Sequence, residues 1–213
     1  MEVDYVRVYA FEDPDSGFVH EIPGSLPPSG YSSQTGVEAE TTEDVGGGLN
    51  LGWISGGDVA TYSLDVEHGG EHELFVRYTS PNGASGIRVF VDGNASIPAK
   101  TLPATGGWQT WRTASIGSLS LQPGLRSVRL EFLADAGDDL NLGRLSLFPL
   151  EDAVHRFHNP RTGAYFFTAF RQEALQVLEN LAQWQYQGLS FGVEYGPTQQ
   201  NTPVFRFYNQ RSG

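Results

Sequence analysis

Between Val37 and Phe148 the chain is a series of short runs in which apolar and polar residues alternate, each closed by a turn. They are SLDV before HGG, HELFVRYT before SPNG, GIRVFV before DGN, QTWRTASI before GS, SVRLEFLA before DAGDD, and finally LNLGRLSLF. A period of two puts alternate side chains on opposite faces, so each run predicts a strand with one face turned to a core. Turn signals about every ten residues predict a sandwich or barrel. EVDYVRVY at 2–9 alternates in the same way but stands by itself. A lone strand has neither partner nor core, so residues 1–10 read as the end of a preceding domain. Asp13–Gly30, with Pro14, Pro23, Pro27 and Pro28 among Ser and Gly, reads as linker or irregular entry, with 11–21 as the linker proper and the sandwich spanning 22–149.

The texture changes near residue 154. RFHNPRTG at 156–163 returns as RFYNQRSG at 206–213, which predicts an internal repeat whose second copy is truncated. Between the copies, Ala174, Val177, Leu178 and Leu181 fall at helical spacing and predict one short amphipathic helix in RQEALQVLENLA. Residues 150–213 are therefore expected to form a small α+β repeat unit. Twelve of the 26 aromatic residues lie from His155 onward, a density that reads as core more readily than as a binding surface.

Charge sharpens the boundary and narrows the partners. From His155 onward five Arg meet three Glu, whereas eight basic and 22 acidic residues precede it. The net charge of -12 argues against nucleic acid, which needs a basic face, and suits a neutral ligand. With no cysteine in the chain, disulfides, thiolate metal sites and cysteine nucleophiles are excluded. No apolar run approaches the ~20 residues of a membrane span, and no basic segment followed by an apolar one marks an export signal.

Candidate chemistry centres on two tryptophans in glycine-rich segments, Trp53 at the end of GGGLNLGW and Trp108 at the end of ATGGW. Glycine weakens strands and marks loops, so a large apolar residue beside it is a candidate for exposure. A pyranose ring has an apolar C–H face that stacks on an aromatic ring, and its hydroxyls call for Asn, Gln, Asp or Glu nearby. On these residues alone, ligand contact and ordinary packing remain equal alternatives. Trp111, in the run after the second loop, reads as core. Glu38, Glu40, Glu43 and Asp44 read as a solvated acidic run, and Asn141 as a turn residue.

GVEAETTEDVGGGLNLGWISGGDVATY, VRYTSPNG, FVDG, ATGGWQTW and LNLGRLSLF together resemble carbohydrate-binding module family 6 over residues 22–148. The resemblance implies a jelly-roll β-sandwich, mainly β, with a ligand site in the loops at one end. In that family an acidic residue thirteen positions before the first loop aromatic, that aromatic, the Trp of the GGW loop and an Asn of the last loop line the cleft. They fall here on Glu40, Trp53, Trp108 and Asn141. Two positions depart from the pattern. A Trp that marks a second site on the concave sheet is Val59 here, and the QAE segment that often holds a structural calcium is Pro27, Pro28 and Ser29. Neither proline can supply a carboxylate to a cation that takes several oxygen ligands, so no cofactor is expected, with a structural calcium held elsewhere, in the acidic loops, as the alternative.

EVDYVRVY resembles the closing strand of laminarinase-like enzymes of glycoside hydrolase family 16, which directs the substrate expectation to β-1,3-glucan and implies a covalently linked hydrolase. RFHN, TGAYFFT and WQYQG resemble a bacterial repeat of unknown function. The expectation is thus a monomeric, secreted or surface-located module that binds a polysaccharide or oligosaccharide without cleaving it, with no nucleic-acid or membrane partner. Two alternatives stand beside it. One is a fragment of an endo-β-1,3-glucanase with hydrolase activity, although EVDYVR ends in Arg7 where an ExDxxE strand has its second carboxylate. The other is an interaction module acting through the C-terminal repeats.

Overall fold

The computed structural model describes residues 18–45, 48–133, 140–151 and 153–192. Two six-stranded sheets stack as a sandwich, and a three-stranded sheet with one helix lies against it. The first sheet runs in the order β1 (Val19–Ile22), β6 (Val59–Val66), β11 (Gly124–Phe132), β8 (Ala84–Val91), β9 (Asn94–Leu102), with β3 (Ser33–Thr35) also on β6. The second runs β10 (Arg112–Leu121), β7 (Gly70–Thr79), β12 (Asn141–Pro149), β5 (Leu49–Gly52), β4 (Glu38–Thr41), with β2 (Gly24–Leu26) on β12.

Alternation builds the core. Ala60, Tyr62, Leu64 and Val66 of β6 and Leu74, Val76 and Tyr78 of β7 point into one cluster, closed by Leu142, Leu145 and Leu147 of β12. β12, like the second half of β7, is buried on both faces. Its second face meets β13 (Ala153–Asn159), β14 (Ala164–Thr168), α1 (Arg171–Asn180) and β15 (Gln185–Gly192), where Phe75 and Phe148 join Phe157, Ala174, Val177, Leu178 and Tyr186 in a second core. Phe148 stacks on His155, centroids 4.3 Å apart, and meets Phe75 edge-on at 6.4 Å. The helix sits where the sequence predicts it, and no described helix is long and apolar enough to cross a membrane.

Three expectations change. Residues 19–21, read as linker, pair in parallel with β6, and β2 also falls in the proline-rich stretch. Proline is compatible with both because it lies between these short strands, where a missing N–H costs no ladder bond. Gln109–Trp111 precede β10 rather than belonging to it. β9 gave no alternating signal because it is an edge strand, with only Ile97 and Leu102 buried. The first strand at 2–9 and the second RFYN copy at 206–213 lie outside the described residues.

Candidate carbohydrate-binding site

Each candidate side chain sits at the terminus of a strand or in the loop beside it, at one end of the sandwich. Glu40 lies in β4, directly opposite Asn50 of β5. This pairing explains the first contact, since Asn50 Nδ2 donates to Glu40 Oε1 at 2.9 Å. Asn141, the first residue of β12, donates from its own Nδ2 to the same oxygen at 2.9 Å. Glu40 Oε1 is thereby occupied by two amides from neighbouring strands, and neither of them bonds Oε2.

Both tryptophans connect to this polar centre through glycine. Trp53 follows Gly52, where a Cβ would come within 2.7 Å of Glu40 Oε1, so any side chain there would displace the carboxylate. Trp53 itself has φ 58°, left-handed backbone that is rare for a bulky residue and characteristic of functional positions. The adjacent Ile54 is fully buried while Trp53 is 59% exposed. Ile54 pins the chain, and the indole is left in solvent.

Trp108 is 42% exposed and follows Gly107, whose carbonyl accepts from the hydroxyls of Thr79 and Thr105. Thr79 is the backbone partner of Asn141, and Thr105 N donates to Ser80 O at 2.7 Å. Across the other side of the loop, Gln109 Oε1 accepts from Glu43 N at 3.3 Å and from Trp111 Nε1 at 3.0 Å. The structure therefore brings Glu40 and Asn141 into direct contact and ties each Trp to one of them through a glycine.

Sequence reasoning missed Asn50, Thr79 and Thr105. Asn50 is fully buried and its Oδ1 has no partner among the described residues. The only signal was an Asn inside an otherwise apolar strand, LNLG. The threonines act through backbone register, which has no local signature. Trp111 is a correction: it is half-buried and outside the sandwich core, with its ring resting on Gly143, where a Cβ would meet Cζ3 at 3.2 Å. A glycine two residues into β12 opens the outer sheet face to the indole.

The two departures from the family pattern have structural counterparts. Pro28 O accepts from the buried Tyr62 hydroxyl at 2.7 Å and Pro27 O from Gly30 N at 3.0 Å, so this segment is tied into the sandwich through its carbonyls. Val59 shares the outer face of the first sheet with Glu131 and Arg88, and in the next row Thr61 aligns with Arg129 and Phe90. The Arg129 guanidinium lies 3.9 Å over the Phe90 ring, capping the aromatic on that face.

The β-sandwich carries two solvent-exposed indoles in loops next to the strands of an amide–carboxylate pair, and comparison with known families identifies it as a non-catalytic carbohydrate-binding module. Residues 29–148 match the family model "Carbohydrate binding module (family 6)", more than half of the chain, and the chain belongs to that family. Residues 144–213 match a domain of unknown function, DUF5648. Among solved structures, the module of lichenase 5A from Cellvibrio mixtus in complex with cellotriose is 28% identical with a TM-score of 0.52, covering 61% of this chain and 98% of that one. A β-1,3-glucan-binding family 6 module from Bacillus halodurans is 27% identical with a TM-score of 0.50, over 61% and 98%. An isomaltosyltransferase of Sporosarcina globispora is 28% identical over 55% of this chain. The clotting factor G alpha subunit of Tachypleus tridentatus is 31% identical over 40% of it. The aligned segments make up only 11% and 13% of those two proteins.

Proposed function

We propose that the chain binds β-1,3-glucan of the laminarin type through Glu40, Trp53, Trp108 and Asn141, and that it keeps an attached glycoside hydrolase at its polysaccharide outside the cell. The observation that carries this reading is the pair of exposed indoles, 59% and 42% accessible, in loops tied to the strands that hold Glu40 and Asn141. The indoles supply stacking faces, Glu40 Oε2 accepts from a sugar hydroxyl, and the amides hold the carboxylate in place. Binding raises the local substrate concentration for a tethered enzyme without new chemistry. The β-1,3-glucan-binding relative from Bacillus halodurans and the laminarinase-like residues 2–9 support the choice of linkage.

Titration of the whole chain with laminari-, cello- and xylo-oligosaccharides of equal length tests the proposal. Tightest binding of the laminari series, lost in Trp53→Ala and Trp108→Ala, supports it. A preference for another series overturns the linkage, and retention of binding in both variants overturns the site.

A further inference from the structure

A second polar hollow opens on the outer face of β12, where the sandwich meets the C-terminal unit. It is a cavity of about 190 Å³ bounded by Trp111, Asp44, Arg144, Leu49, Pro28 and Gln185. It thus draws its walls from the N-terminal segment, the β4–β5 loop, β12 and β15. The charges inside do not cancel. Arg77 grips both oxygens of Asp44, at 2.5 Å from Nε and 2.5 Å from Nη2, and Val45 N adds a further bond to Asp44 Oδ1 at 2.8 Å. Asp44 is thereby paired with Arg77 rather than with Arg144. Arg144 has only one hydrogen bond among the described residues, a long one of 3.3 Å from Nη2 to Ala182 O.

Burial, reinforced by the neighbouring Arg77, pulls the Arg144 guanidinium down to about 10, with Asp44 opposing. Arg144 is half-buried and lines the cavity with that single long bond, so its guanidinium can take an anionic partner that supplies charge and acceptors. A guanidinium fits a carboxylate in a two-pronged pair. The half-buried Trp111 ring, with Leu49 and Pro28, offers apolar wall beside it. The volume is below the ~300–1,000 Å³ of pockets for drug-sized ligands and suits one sugar unit.

We infer that this cavity is a second saccharide site, distinct from the loop cleft, that takes a single acidic sugar of the uronate class, with Arg144 pairing its carboxylate and Trp111 covering its ring. It gives the C-terminal unit a role in recognition, since Gln185 and the carbonyl that orients Arg144 both come from it. The net charge of -12 works against adventitious binding of a sugar acid, so affinity for one requires a local cationic site.

The test is titration of the full chain with cellobiouronic acid and with neutral cellobiose, followed by indole N–H resonances. The expected result is a shift of the Trp111 indole with the uronate, at least tenfold tighter binding of the uronate than of cellobiose there, and weakening with added salt. Arg144→Gln should lose that preference tenfold or more while laminari-oligosaccharide binding, read at Trp53 and Trp108, persists. Should Arg144→Gln fail to fold, the parent protein decides: no shift at Trp111, or uronate shifts confined to Trp53 and Trp108, overturns the site. Because neutral glucan is read at different indoles, failure here leaves the loop-cleft proposal standing, and the reverse.

Discussion

Two aromatic-rich regions of this molecule have opposite fates. At the loop end, Trp53 and Trp108 stand in solvent. At the seam, Phe75, Phe148, Phe157 and Tyr186 are between 0% and 3% exposed. Ring size and hydrophobicity do not separate them. The seam aromatics lie on strands whose outward faces meet each other, so burial removes them from water and makes them structural. The loop-end aromatics are held out by neighbours that are themselves fixed, Ile54 in the core behind one and the Thr79–Gly107 bond behind the other. Binding capacity depends on what restrains the residues next to an aromatic more than on the aromatic itself.

The comparison is most easily broken at the seam. Phe148→Ala should cost about 3–5 kcal/mol of folding stability, as truncations of buried Phe do. Denaturant unfolding of the full chain checks this. A loss under 1 kcal/mol would mean that the C-terminal unit adds little to the sandwich. Where the variant remains folded, its glucan affinity should be unchanged.

The loop end should show the reverse pattern. Trp53→Ala or Trp108→Ala should weaken glucan binding by about 2 kcal/mol, as hot-spot truncations do, or roughly thirtyfold, while leaving the melting temperature almost where it was. Calorimetric titration and thermal unfolding on the same sample separate the two effects. Asn141→Ala should weaken binding by about 1–3 kcal/mol by freeing the Glu40 carboxylate it positions, with a smaller loss of stability. Equal losses in binding and stability would place Asn141 with the seam residues instead.

Smaller effects are expected from pH. His72 is buried on β7 beside the seam, Nδ1 contacts Gly70 O, and burial lowers its pKa from 6.5. The unfolded chain then binds the extra proton more readily than the folded one. This contribution to stability is complete above the unfolded pKa and shrinks as pH falls through 6.5 towards the depressed folded value. Melting temperature should therefore decline between pH 7 and 5 more steeply in the parent than in His72→Gln, and parallel declines would remove His72 as a cause. Val59→Ala, on the open face of the first sheet, should alter glucan affinity by less than a factor of two in the same titration.

The sandwich was legible because period-two alternation in β6 and β11 is a direct imprint of one buried face, and α1 because Ala174, Val177 and Leu178 repeat at helical spacing. β9 and the short β1 and β2 on either side of Pro23 were not, since β9 is an edge strand with few buried residues and β1 and β2 are too short to show a period. Of the site, Trp53 and Trp108 were visible through their glycine neighbours, whereas Glu40 and Asn141 were assigned only by resemblance to the family. Residues 101 positions apart reveal no shared role in linear order.

The sequence by itself determined the alternating strands of the sandwich, which face of those is apolar, and that the chain lacks thiol chemistry, because these follow from residue type and local period. Only the tertiary structure decided that Asn50 and Asn141 converge on one oxygen of Glu40. It alone placed Trp111 on the bare backbone of Gly143 rather than in the core, and set Arg144 beside an Asp44 already held by Arg77. Each of these depends on sheet register and on how the two units pack, and a one-residue slip in register would turn the same side chains to the opposite face.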